Sequence, residues 1–281
     1  MPFVNKLKTL LNRRGLRSIL VPIVSQMGKS QGHGIKKISY DQGVWIHETS
    51  RGYFAYHQPY IRLDMAKMDA SAKAHFFWGY TPQPGDVVMD VGAGVGEETL
   101  AFSRAVGERG KVICIEAHPR TFLCLEKLIQ YNHLENVTAV HQAVTEPSCT
   151  LVTIGDSEEY LGNRLKAGGG FLVPATTIDA LHQKLGLGRI QFLKLNIEGA
   201  ERFAIRGMSE ILKQTEVLCV SCHDFLAESA ADSDLRTKMK VQQFLQHSGF
   251  RLVVRPESDL QPYLRDQVWA YNDALVGRLA S

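Results

Sequence analysis

From about residue 84 onward the chain alternates between short apolar runs rich in β-branched residues and longer segments with helical spacing, a rhythm that few folds can accommodate. Runs at 86–91, 111–116, 137–144, 191–197, 216–223, 250–254 and 268–272 read as strands; segments at 97–106, 120–131, 178–185, 201–212 and 235–247 read as helices. Strands joined through helices pair in parallel, and the helices then cover both faces of the sheet. The spacing therefore predicts a Rossmann-like α/β domain with a mostly parallel sheet. Only the stretch around Gly168, Gly169 and Gly170 reads as irregular. Hydrophobic residues at 44% and charged residues at 22% of 281 are ordinary globular usage and allow a sizeable core. No run approaches the roughly 18 apolar residues a spanning helix needs, because Arg13, Arg14, Arg17 and Pro22 interrupt the stretch 10–27. The five cysteines are odd in number and scattered, which favours reduced thiols and a cytoplasmic location. Cys219-Val220-Ser221-Cys222-His223 matches a haem-attachment spacing. On a strand, however, residues three apart point to opposite faces, so no haem or metal is expected there.

The first 80 residues have a different character. Residues 1–40 carry eight basic side chains and no acidic one, which leaves 24 basic against 29 acidic for the rest: a basic arm on an acidic body. Phe3, Leu7, Leu10 and Leu11 fall on one helical stripe with the basic residues largely elsewhere. Such a helix packs on its own domain or, through residues 1–30, makes peripheral contact with an anionic membrane. Tyr40, Trp45, Tyr53, Phe54, Tyr56, Tyr60, Phe76, Phe77, Trp78 and Tyr80 make the remainder aromatic-rich and suit a cap on the main body. The expected division is thus 1–80 for arm and cap and 81–281 for the α/β domain. The acidic body carries no basic-aromatic stripe, so no nucleic-acid partner is expected.

The sharpest local feature is Val88-Met89-Asp90-Val91-Gly92-Ala93-Gly94-Val95-Gly96-Glu97-Glu98, at the joint of the first main strand and its helix. Glycines there permit a tight turn and close approach of a ligand to the backbone. Glu116 lies 24 residues beyond Gly92, at the end of the next strand, where a carboxylate can accept both hydroxyls of an adenosine ribose. A dinucleotide would place its pyrophosphate at the helix amino end, but Glu97 and Glu98 occupy that turn and would repel it. A cofactor with a sulfonium and an ammonium meets no such repulsion, and Asp90 could reach the ammonium directly or through water. S-adenosylmethionine is therefore the expected cofactor. Asp90, Gly92, Gly94, Gly96 and Glu116, with Gln142 and Ala143 on the third strand, are its expected contacts.

A second motif, Phe192-Leu193-Lys194-Leu195-Asn196-Ile197-Glu198-Gly199-Ala200-Glu201, ends the fourth main strand, at the carboxyl edge where open α/β sheets bind ligands. Glu198 and Glu201 could equally be first-turn acids facing the helix dipole. His223, at the end of the fifth strand, is the candidate base for a hydroxyl acceptor, or else bonds only a neighbouring backbone group. Together with Met89-Asp90-Val91-Gly92-Ala93-Gly94 and Thr177-Ile178-Asp179-Ala180-Leu181, this motif resembles the FkbM family of S-adenosylmethionine-dependent methyltransferases over roughly residues 80–255. The resemblance implies a seven-stranded class I methyltransferase fold and O-methylation of a polyketide, sugar or other secondary metabolite, including a lipid-linked one. Asn196 stands where the family usually has Asp, so a role needing negative charge there is not carried over. The expected catalytic set is His223 as base, with Asn196 and Glu198 orienting the acceptor hydroxyl. The alternatives are an inactive cofactor-binding module, kept open by Asn196, and a nicotinamide-dependent reductase, disfavoured by Glu97.

Overall fold

The computed structural model describes residues 17–31, 34–156, 169–225, 227, 236–256 and 261–276. It begins with helix α1 (Arg17–Ser30), strands β1 (Ile35–Asp41), β2 (Val44–Thr49) and β3 (Gly52–Tyr56), and helix α2 (Met65–Phe76). The three strands form an antiparallel sheet in sequence order. Asp64 starts α2, its side chain accepting from the Lys67 backbone N–H at 3.0 Å. The Phe3–Leu11 stripe lies outside the described residues. No helix among the described residues is long and apolar enough to cross a membrane.

The main body then runs β4 (Val87–Val91), α3 (Glu97–Val106), β5 (Lys111–Glu116), α4 (Pro119–Tyr131), β6 (Val137–His141), β7 (Ala143–Val144), β8 (Leu151–Ile154) and β9 (Phe171–Thr176). It continues with α5 (Ile178–Lys184), β10 (Ile190–Leu195), α6 (Glu201–Ala204), β11 (Thr215–Ser221), α7 (Lys238–His247), β12 (Arg251–Val253), α8 (Pro262–Arg265), β13 (Gln267–Tyr271) and α9 (Asp273–Val276). Seven strands form the main sheet in the order β12-β13-β11-β10-β4-β5-β6. β4, β5, β6, β10 and β11 pair in parallel, while β13 runs antiparallel to both of its neighbours. This is the Rossmann-like α/β arrangement that the alternation predicts, with the seven main strands that the family resemblance implies.

The continuous apolar runs are explained by burial on both faces. Met89, Val91, Leu193, Leu195 and Leu218 enter one core, while Val88, Phe192, Val217 and Cys219 enter the core on the opposite face. Cys219 and Cys222 fall in these two different cores, which keeps their sulfurs apart. The amino-terminal sheet shares a third core with the main body, where Trp45, Phe54 and Tyr56 meet Val95, Leu100, Cys124 and Leu128. Polar contacts bind the same junction: Lys127 Nζ lies 2.6 Å from Asp41, and the Asn132 side chain both donates to and accepts from the Tyr53 backbone.

Three segments differ from the sequence expectation. The run 137–144 breaks at Gln142, because β7 leaves the main sheet to pair with β9. The irregular stretch supplies β8 and β9, which complete a small separate sheet in the order β7-β9-β8. Residues 201–212 give one α-turn and then 3-10 turns at Ile205–Gly207 and Ile211–Gln214 rather than one helix. Ile205, Met208, Ile211 and Leu212 are all buried, so packing overrides local helical spacing.

In the middle of the sheet, adjacent on β4 and β10, Asp90 and Lys194 form a fully buried pair at 2.6 Å. Burial alone would lower the Lys194 pKa, but the carboxylates of Asp90 and Glu98 raise it. The Phe76 ring, 4.9 Å from Nζ, adds a cation–π contact. Removing one partner strands a charge in the core, which usually costs about 3–5 kcal/mol, whereas removing both is far milder. Lys194→Met should therefore lower stability in urea unfolding by about that amount, and Asp90→Asn/Lys194→Met should recover much of the loss. A single variant as stable as the wild type would contradict this.

Candidate functional site

The loop leaving β4 is folded by its own backbone: Gly92 and Ala93 N–H groups both donate to the Ile115 carbonyl, and Gly96 N–H donates to the Ala93 carbonyl. Lys194 Nζ also donates to the Gly92 carbonyl at 3.0 Å, which ties the loop to the buried pair. Gly92 has φ +78°, and a Cβ there would lie 1.9 Å from the Asn196 carbonyl oxygen. Only glycine lets the two strand-end motifs pass so closely. Gly96 has φ +91° and faces Leu125 of α4, so its place is in packing. Gly94 N–H donates to Glu116 Oε2 at 2.9 Å, while Glu116 Oε1 accepts from the His118 backbone at 2.8 Å. Burial raises the Glu116 pKa, opposed by these two hydrogen bonds.

Two cavities meet along this edge. The first is lined by Gly92, Gly94, Glu116, Gln142, Ala143, Asn196 and Glu198, along with His118 and Thr121. The second is roomier, about 530 Å³ against 90 Å³, and reaches from the same loop to Ser71, His75 and Phe76 of α2, Glu97 and Glu98 of α3, His223, Phe225 and Tyr263. Gly92, Gly94, Asn196 and Glu198 belong to both walls. Seven of the ten residues expected from sequence thus line the first cavity, and His223 lines the second. Asp90 and Gly96 line neither. Asp90, expected near a ligand ammonium, has its carboxylate fully buried, with Oδ1 accepting from Lys194 Nζ. Lys194 went unnoticed in sequence, although a lone lysine inside an apolar strand is itself a signal that a buried partner exists.

His223 sits between two carboxylates, with Nδ1 3.0 Å from Glu201 Oε1 and Nε2 3.4 Å from Glu198 Oε1. Burial pulls its pKa down, but Glu201 and Glu198 outweigh that and raise it to about 10. Near neutral pH the ring is therefore an imidazolium and holds no free lone pair. His223, expected as base, thus has both ring nitrogens facing carboxylates, one of them Glu198. Glu201 is fully buried and also accepts from the Ile197 and Gly199 backbone N–H groups, so it braces the loop. Glu198 adopts φ +54°, a conformation unusual outside glycine and frequent at functional sites. Glu98 carries a different signal, since burial raises its pKa to about 7, with Lys194 opposing and Glu97 and Asp90 assisting.

The profile described as "Methyltransferase FkbM domain" matches residues 90–252, more than half of the chain. The chain belongs to the FkbM methyltransferase family. No curated protein matches it in sequence. Among solved structures, it is similar to methyltransferase FkbM from Methylobacillus flagellatus KT, with 16% identity and a TM-score of 0.49 over 71% of this chain. That match takes in 47% of the other protein, so the chain spans about half of its length. It is also similar to Aeropyrum pernix fibrillarin in complex with natively bound S-adenosyl-L-methionine, with 12% identity, TM-score 0.44, and 84% and 98% of the two chains covered. A third likeness is to a SAM-dependent methyltransferase from Aquifex aeolicus, with 15% identity, TM-score 0.40, and 75% and 98% covered.

The first cavity is chemically set for a ligand that brings hydrogen-bond donors. Among the described residues, Gln142 Oε1 and Asn196 Oδ1 are buried there without a hydrogen-bond partner, and such acceptors call for a donor-bearing ligand. Glu116 adds a carboxylate with lone pairs beyond those its two backbone donors use. The histidine assignment has a measurable consequence. A group whose pKa is about 10 folded, against about 6.5 unfolded, contributes stability that is complete below about pH 6.5 and lost as pH rises toward 10. Melting temperature followed from about pH 6 to about pH 10.5 should decline in the wild type and decline less in His223→Gln. Parallel curves for the two proteins would show that His223 is not the titrating group.

Proposed function

We propose that this chain transfers a methyl group from S-adenosylmethionine to a hydroxyl of a small molecule, such as a polyketide, a sugar or another secondary metabolite, free or lipid-linked. The observation that carries the reading is the meeting of the two cavities at Gly92, Gly94, Asn196 and Glu198, one shaped for the cofactor and the roomier one open for an acceptor. When bound, S-adenosylmethionine supplies a methyl already activated by its sulfonium. The chain's task is alignment, exclusion of water and removal of the hydroxyl proton. Gly94, Glu116 and Gln142 hold the cofactor end. Asn196 Oδ1 and Glu198 orient the acceptor hydroxyl, with Glu198 fixed by protonated His223. Glu98 in the acceptor wall takes the proton, because a carboxyl with a pKa near 7 is both available as a base and strong enough to act as one. With S-adenosylmethionine held by Gly94, Glu116 and Gln142 to supply the methyl, Glu98 would take the proton that the acceptor hydroxyl gives up.

Calorimetry tests the cofactor half: Glu116→Ala should bind S-adenosylmethionine about 1–3 kcal/mol more weakly, the scale of lost charged hydrogen bonds. Equal affinity would remove Glu116 from the site. For the chemical half, release of S-adenosylhomocysteine with a panel of hydroxylated acceptors should rise with pH through about 7. Glu98→Gln should retain cofactor affinity while turning over about 10²–10⁴-fold more slowly and without that pH step. A fully active Glu98→Gln protein would end the Glu98 assignment.

A further inference from the structure

A third cavity, of about 400 Å³, adjoins the acceptor cavity, and the two share Ser71, Glu97 and Glu98. Its basic residues come from four separate segments: Arg51 between β2 and β3, Arg62 ahead of α2, Lys67 on α2 and Arg104 on α3. The acids in the same wall are engaged or partly neutral. Asp64 is used by the amino end of α2. Glu97 accepts from the Tyr56 hydroxyl at 2.7 Å. Glu98 has its pKa raised to about 7, chiefly by burial. The cations are positioned as well as present. Arg62 Nε donates to Gln31 at 3.1 Å, and Arg104 Nη2 donates to the Arg51 carbonyl. Each guanidinium has five N–H donors, so most of each fork remains for a ligand. Lys67 lines the same wall with an exposed side chain.

We propose that the third cavity binds a phosphate group carried by the methyl acceptor, which makes the substrate a phosphorylated hydroxyl compound. The inference rests on the second cavity being the acceptor site. Phosphate matches the fork geometry of Arg62 and Arg104 and the point charge of Lys67. The basic side chains Arg51, Arg62, Lys67 and Arg104 line the third cavity and not the second, so the phosphate settles at that end and the hydroxyl end enters the second cavity. That gives the acceptor one orientation. The phosphate belongs either to a free small molecule or to a lipid headgroup, since both present the same group.

The test uses the full chain and inorganic pyrophosphate as probe, with binding measured by calorimetry and by phosphorus NMR line broadening. Wild type should bind saturably, more weakly as salt rises, and Arg62→Glu and Lys67→Glu should each weaken binding at least about tenfold. Both replaced side chains are exposed, and S-adenosylmethionine titrations of the same proteins should be unchanged. No saturable pyrophosphate binding by a wild type that binds S-adenosylmethionine overturns the phosphate site alone, as does equal affinity in the variants. A wild type that binds neither overturns the underlying reading with it. Glycerol 3-phosphate and dihexanoyl phosphatidic acid are then used to displace the probe. Displacement by either supports the site and identifies the source, and displacement by neither overturns it.

Discussion

The ion pair between Asp90 and Lys194 is the constraint on which the site depends. It crosses the two central strands one residue before each of them ends, so it fixes where both carboxyl ends stop. Lys194 then extends that control to the loop by holding the Gly92 carbonyl, and its charge acts on Glu98 beyond. A single buried ammonium thus links strand register, loop position and the protonation of an acceptor-wall carboxyl. An apolar pair would fill the same space and close the same sheet. It would leave the Gly92 carbonyl without that donor and Glu98 without the nearby cation that lowers its pKa.

The second cluster, Glu198–His223–Glu201, works by the same means at the other wall. Glu201 anchors the 197–199 turn from inside, and His223 passes that anchorage to Glu198, which is the member that reaches the cavities. The left-handed backbone at Glu198 needs such support, since nothing in its own conformation favours it. Charge in this site is therefore mostly structural. Among the described residues, Glu97, Glu98 and Glu198 bring carboxylates to the wall of the second cavity.

Much of this was legible in the sequence because it is local. The βα alternation, the glycine loop and the spacing to Glu116 are properties of contiguous residues, and the parallel strands at the centre follow from them. What the sequence hid is long-range. That Asp90 is taken by Lys194, 104 positions away, requires knowing that β10 pairs with β4. His223 becomes a cation only because Glu198 and Glu201 converge on it from another loop, and an isolated histidine invites the opposite assignment. β8 and β9 were missed because neither makes an apolar run of the length that marks a main-sheet strand, and Leu151 and Leu172 face solvent.

The helix α2 is an unusual wall for an acceptor cavity. It comes from the amino-terminal segment and stands outside the main sheet, but the Arg255 guanidinium holds its last turn by donating to the carbonyls of Ala74 and His75. Ser71 and His75 face the acceptor cavity from this helix, and neither touches the cofactor cavity. The second cavity therefore has one wall that the first lacks, although Gly92, Gly94, Asn196 and Glu198 line both. A change of side chain along that one turn of α2 would reshape the second cavity and leave the lining of the first as it is.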